Sequence, residues 1–286
     1  KNKLFYFASW EGMFERETTF SFFNVPTERM RAGDFGEVSN VIYDPATGAA
    51  NGANRQAFAN NVIPANRLSQ SALRLQEYYP RPNLPGLARN YVQDFEANLD
   101  RNNYDVKLNW NRSAAHQVWG KVSVMDALSQ NLARFGFEGK GRGNTTSVLT
   151  SLGQTYTLTP TTILDGTIGF NTYKQDFRPP DYGVNYGLDE LGIPGTNGPD
   201  ERQSGFPWFA TGLSTIGESR SWYPMKRDDG SFSMSGNLTM LRGRHELRFG
   251  GEAARLWLNH WQPEVGAGPR GGITFGGGPT ALRGGA

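Results

Sequence analysis

The chain has 286 residues, 29 Lys and Arg against 27 Asp and Glu, a net charge of +2 and no cysteine. Near-balanced charge without a basic block excludes the footprint of a nucleic-acid binder, and the lack of cysteine excludes disulfide frameworks, thiolate zinc sites and cysteine nucleophiles. Only 37% of residues are apolar, yet 13% are aromatic and 36 are glycine, which argues against wholesale disorder, and no run approaches the ~18–20 apolar residues of a membrane-spanning helix.

In chain order, residues 3–15 read as a strand heavy in aromatics: Phe5, Tyr6, Phe7, Trp10 and Phe14. Opening on such a strand at Lys1, without Met, predicts an internal piece of a longer protein. A long segment, 26–97, follows. It holds one predicted helix over 67–79, with Leu68, Ala72, Leu75 and Tyr79 on one face, Asn66 as N-cap, and Pro80 and Pro82 as stops.

Alternation then dominates. Tyr104, Val106, Leu108 and Trp110 share one face of an extended run, with Asp105, Lys107, Asn109 and Asn111 on the other. After a turn at 112–116 the return strand carries Val118, Val122 and Val124 against Lys121 and Ser123, although Trp119 and Met125 blur the polar side. A second hairpin sets Val148, Leu152, Tyr156 and Leu158 against Ser147, Ser151, Thr155 and Thr157. Beyond Thr159–Thr161 it sets Leu164, Ile168 and Phe170 against Asp165, Thr167 and Asn171. The third sets Phe232, Met234, Leu238 and Met240 against serines and Asn237. It turns at 242–244 into Leu247, Phe249 and Ala253 against Glu246, Arg248 and Glu252. Between hairpins lie long segments, 127–145 and 176–228, rich in Gly, Pro, Asn and Asp.

Strand runs of roughly 10–13 residues exceed the ~5–6 of soluble sheets and suit a bilayer crossing of about 9–11 tilted residues. Short turns alternating with long loops match an outer-membrane barrel, whose short turns are periplasmic and long loops external. Backbone groups in lipid must pair all round a closed ring, so the outward face is apolar while the lumen stays polar. The predicted fold is therefore all-β: an incomplete antiparallel transmembrane β-barrel of about seven strands, with long extracellular loops and a short helix in one of them. Every long loop, 26–97 and 176–228 included, then falls outside. The alternative is a soluble secreted β-sheet module that binds carbohydrate or protein through exposed aromatic loops, with Trp208 and Trp222 as contacts.

No catalytic, cofactor or metal site is predicted, so the chain reads as no enzyme. His116, His245 and His260 lack partners at ligand spacing, His245-Glu246 is not H-E-x-x-H, and G-x-S-x-G and P-loop patterns are missing. Asp228-Asp229-Gly230 and Asp200-Glu201 read as turn chemistry rather than a calcium loop. The candidate ligand contacts are the loop aromatics Phe206, Trp208, Phe209, Trp222 and Tyr223.

Several segments carry a family resemblance. Lys1-Asn-Lys-Leu-Phe-Tyr-Phe-Ala-Ser-Trp-Glu-Gly12 resembles the barrel strand after the plug in Oar-like TonB-dependent receptors of the acidobacterial type, which carry a carboxypeptidase-regulatory-like N-terminal domain. Val25-Pro-Thr-Glu-Arg-Met-Arg-Ala-Gly-Asp-Phe35, Ile42-Tyr-Asp-Pro45, Asn61-Val-Ile-Pro-Ala-Asn-Arg67 and Tyr79-Pro-Arg-Pro-Asn-Leu-Pro85 are similar to the loop that follows. Asn103-Tyr-Asp-Val-Lys-Leu-Asn-Trp110 and Gly243-Arg-His-Glu-Leu-Arg-Phe-Gly-Gly251 resemble its hairpins. The resemblance implies part of one receptor barrel in the bacterial outer membrane, its plug and remaining strands lying elsewhere. Its partners would be outer-membrane lipid, the TonB system acting through that plug, and an unknown ligand. About seven strands fall short of the about 22 of plugged transporters, so this piece is not expected to close alone.

Overall fold

The computed structural model describes residues 3–217, 223–263 and 270–282. Seven long strands form one antiparallel meander: β1 (Leu4–Phe23), β2 (Tyr91–Ser113), β3 (His116–Asn131), β4 (Arg142–Thr159), β5 (Thr162–Arg178), β7 (Met225–Arg242) and β8 (His245–Trp257). Three short strands are added among the described residues. β6 (Trp208–Ala210) pairs in parallel with β10 (Gly272–Thr274), and β9 (His260–Trp261) adds to β7. The long sheet runs in sequence order from β1 to β8 and stays open, as predicted for an incomplete barrel. No helix among the described residues is long and apolar enough to cross a membrane.

The register places the predicted faces side by side across the whole sheet. One cross-strand row reads Tyr6, Leu108, Gly120, Leu152, Ile168, Met234 and Ala253, and all of these lie on the same face. The adjacent row, Phe5, Asn109, Trp119, Gly153, Thr167, Ser235 and Glu252, lies on the opposite face. Besides the phenylalanines of β1, the second face carries Glu11, Lys107, Asp105, Lys121 and Asp165. Large apolar side chains of the first face stand open, among them Tyr6, Trp10, Leu108, Ile168 and Phe249. In water such a contiguous face is a liability; against lipid it is the outward surface of a barrel.

The strands are longer than the sequence predicts, and the excess has a physical reason. The outward apolar band covers Leu4–Trp10 on β1, Leu164–Phe170 on β5 and Phe232–Met240 on β7. At ~3.4 Å per residue these stretches cover roughly 24–30 Å along tilted strands, matching an apolar band about 25 Å tall. Further along, the same outward face turns polar: Asn102, Asp126, Thr146, Lys174 and Asp228 share a row, and Arg16, Asn98, Gln130, Arg142 and Arg178 another. Here polar residues stand on both faces and the alternation weakens, although Phe14, Phe20 and Phe22 keep aromatic rings on the outward side of β1. β2 thus extends over 23 residues and absorbs the end of the segment assigned to loop.

Two-residue turns, Ala114-Ala115, Pro160-Thr161 and Gly243-Arg244, close the hairpins at the opposite end. Gly243 has φ +63°, a conformation that favours glycine. On the polar face Trp119 lies over Gly153, where a Cβ would sit 2.5 Å from the indole, and the Lys107 ammonium lies 5.5 Å from that ring. Gly153→Val is expected to cost about 1–3 kcal/mol by overpacking. Urea unfolding of the vesicle-bound protein measures it, and an unchanged midpoint would show that the indole rotates away freely.

The long connections are not independent irregular loops. Residues 24–90, 132–141, 179–217 and 270–282 pack together as a cap over one end of the sheet, around a core of Val25, Leu75, Tyr79, Leu191, Phe206, Phe209 and Ile216. Phe23 and Tyr91 tie strand ends into it, with the rings of Phe23 and the cap residue Phe135 5.1 Å apart between centroids. The predicted helix is shorter, α2 (Gln70–Glu77), preceded by the one-turn α1 (Glu28–Arg31). Asn66 falls in a separate 3-10 turn, Ala65–Arg67, so Ser69 occupies the N-cap position instead. The buried Arg31 guanidinium donates to the carbonyls of Gln76 (2.5 Å), Tyr79 (2.8 Å) and Pro80 (2.9 Å), placing a cation where a helix end accumulates unpaired carbonyls.

Candidate functional site

The cap holds a cleft of about 960 Å³. Its walls come from four parts of the chain. Pro26, Met30, Phe35 and the run Val38–Tyr43 form one side, and Ala72, Leu75, Gln76 and Tyr79 of and just after α2 form another. Thr211–Leu213 and the segment Gly277, Thr280, Ala281 and Leu282 close it. That last wall is fastened by the Tyr43 N–H donating to the Thr280 carbonyl (2.9 Å) and by Arg55 donating to the carbonyls of Gly278 and Ala281 (both 2.9 Å).

Tyr79 belongs both to the cap core and to the cleft wall. Its hydroxyl donates to the Ser214 carbonyl at 2.6 Å and lies 3.3 Å from the Thr211 hydroxyl. Burial pushes its pKa from 10.0 up to about 12. In the unfolded chain the phenol ionises near pH 10, whereas folding holds it neutral to about pH 12. Its contribution to cap stability is complete below pH 10 and lost as pH rises through 12. Proteolysis of the cap is accordingly expected to accelerate between pH 10 and 12, and Tyr79→Phe is expected to reduce that acceleration; equal acceleration in the variant would remove Tyr79 as its source.

The aromatic residues singled out by sequence separate in space. Phe206 and Phe209 are 0% and 1% exposed. Phe206 packs on Tyr78 (4.9 Å between centroids), Phe137 (4.7 Å) and Tyr186 (5.3 Å), so these two rings hold the cap together and present no surface to a ligand. Trp208 is half-buried on β6, pairing with Gly272. The half-buried Tyr223 stacks on Phe177 at 5.4 Å. Trp222 lies outside the described residues. None of the four described aromatics lines the cleft. Sequence reading missed the residues that do, although the helical spacing of Ala72, Leu75 and Tyr79 marks the face that bears them.

Beneath this region Asp181 and Arg270 form a buried pair, 0% and 2% exposed by side chain, 3.4 Å apart. The Asp181 carboxylate also accepts from the Phe206 N–H at 2.7 Å, and Arg270 donates to the Tyr223 carbonyl at 3.1 Å. Asp181 Oδ1 has no hydrogen-bond partner. Burial raises the Asp181 pKa despite the opposing charge of Arg270.

Among the described residues, no group of three or more His, Asp or Glu is placed to hold a metal. His116 pairs with Gln154 (3.0 Å) and His260 with Gln262 (2.6 Å). Asp228 and Asp229 face Lys174 and Arg227, while Asp200 caps the turn Glu201–Gln203 and is paired with Arg202, which lowers its pKa to about 2.

A family model described as "Outer membrane beta barrel domain" matches residues 1–286. Comparisons with curated proteins and with solved structures give no significant match. The soluble-module alternative fails on the open apolar face, which a barrel turns to lipid. An antiparallel meander with that outward band and polar opposite face, matched over its whole length by this model, belongs to the outer membrane beta barrel domain family and lies in the bacterial outer membrane.

Proposed function

We propose that the chain is part of a TonB-dependent, Oar-like receptor that captures a ligand at the cell surface and imports it with energy delivered through a plug. The cap then faces outward, in line with the long external loops of outer-membrane barrels. One observation carries the capture step: the loops build a packed cap with an open cleft of about 960 Å³ rather than four separate strands of coil. The TonB-dependent part rests on the ordered series of receptor-like motifs between Lys1 and Trp110. A receptor of this kind makes and breaks no covalent bond, so no catalytic role is assigned.

Comparative uptake tests the reading. The metabolites removed from spent medium are compared between cells with and without the gene. At least one is expected to be taken up in a gene-dependent way, and that uptake is expected to stop when the TonB system is disabled. Gene-dependent uptake that persists without the TonB system would contradict it.

A further inference from the structure

We infer that the cap cleft selects an uncharged, largely apolar molecule of small-molecule size, and that a charge on the ligand excludes it. This deepens the proposed capture role, naming the chemical class for that same cleft. None of the described residues lining it is Asp, Glu, Lys or Arg. That is unusual beside the rest of the cap, where Arg29 pairs with Asp34, Arg67 with Asp44 and Arg81 with Glu28. On the helix side Arg31, next to the lining residue Met30, is committed to three backbone carbonyls and does not line the space. A ligand carboxylate or ammonium entering the cleft would lose its hydration and meet no countercharge.

The polar groups at the cleft are few and partly engaged. Tyr79 spends its hydroxyl proton on Ser214, and Gln76 Nε2 donates to the Arg31 carbonyl. What remains is suited to orienting a neutral molecule: the side chains of Asn40 and Ser39 and the hydroxyl-bearing Tyr43, Thr211 and Thr280, set among Phe35, Val41 and Leu213. A cleft at the upper end of the ~300–1,000 Å³ range, mostly apolar with a few convergent polar groups, is the usual form of a small-molecule site. Held in the cap, it is separate from the outward apolar band of the strands, so lipid contact does not account for its character.

Photolabelling with a matched pair of probes tests this. Benzophenone is neutral; 4-benzoylbenzoate adds one carboxylate to the same frame. Protein in lipid nanodiscs is irradiated with each, and adducts are mapped by peptide mass spectrometry. Benzophenone is expected to mark cleft residues such as Met30, Leu75 and Leu213 at least tenfold more than 4-benzoylbenzoate does. Val41→Lys, at an exposed wall position, is expected to bring the anionic probe to within twofold of the neutral one. Ala72→Trp, also exposed, is expected to abolish cleft adducts while adducts in the strand band persist and report the fold. Equal cleft labelling of wild-type protein by both probes, or neutral-probe adducts confined to the strands, would overturn the inference. The labelling needs no TonB system, so failure of transport leaves this result standing and the reverse also holds.

Discussion

Ile168→Arg is expected to destabilise the membrane-inserted protein by about 2–4 kcal/mol, the cost of an arginine near the bilayer midplane on a barrel's lipid face. Ile168 sits in the outward row between Leu152 and Met234, with nothing but apolar side chains or glycine on that row from Leu108 to Ala253. Its guanidinium would have no acceptor within the band. Thr167→Arg, one residue away, points to the polar face beside Ser235 and Gly153. There the new cation meets water and Glu252 lies in the same row, so a change within about 1 kcal/mol is expected. Urea titrations of both variants refolded into phospholipid vesicles, followed by tryptophan fluorescence, give the two midpoints. Equal losses would mean that the faces are not divided between lipid and lumen.

The second large effect concerns the cap. Arg270→Met removes one partner of a fully buried pair and strands the Asp181 carboxylate, an arrangement that costs about 3–5 kcal/mol. The loss should be local. Asp181 also holds the Phe206 N–H, and Arg270 ties β10 to the Tyr223 carbonyl, so the cap should loosen while the strands stay paired. Native-state proteolysis should cleave the cap faster, with heat-modifiable gel mobility of the barrel unchanged. Adding Asp181→Leu to Arg270→Met replaces the pair with apolar volume and should recover most of the protection. If the double variant is cleaved as fast as the single one, the stranded charge is not the cause.

The strand faces were legible in the sequence because they depend on a rule of period two that operates within a few residues. Leu164, Ile168 and Phe170 against Asp165, Thr167 and Asn171 needed no knowledge of their neighbours. The upper halves of the strands obey no such rule. Asn98, Asp100 and Asn102 on β2 and Asp126 on β3 lie on the outward face yet stand beyond the apolar band, so polar residues occur on both sides. Length was therefore underestimated where the solvent changed from lipid to water.

The cap was illegible for a different reason. Its core joins Val25, Leu75, Leu191 and Ile216, each supplied by a distant stretch of polar, glycine-rich chain. No local pattern announces a core assembled from single residues. The same gap explains why Phe206 and Phe209, conspicuous as loop aromatics, were assigned to ligand contact and instead fill the centre of that core. Trp222 alone among the five falls outside the described residues. The cleft lay hidden in turn, because Phe35, Tyr43 and Leu213 meet only once the loops have packed.

A single-cysteine scan of β5 tests the central claim most directly, since the native chain has no cysteine to remove. Each residue from 162 to 178 is replaced in turn, spin-labelled, and measured in bilayers for collision with oxygen and with a water-soluble nickel complex. Labels at 164, 168 and 170 should favour oxygen, and those at 165, 167 and 171 the nickel complex. That alternation should fade beyond Thr172, where the outward face turns polar. Nickel access at every position, or alternation continuing unchanged to Arg178, would contradict a lipid-facing band confined to the lower part of the strands.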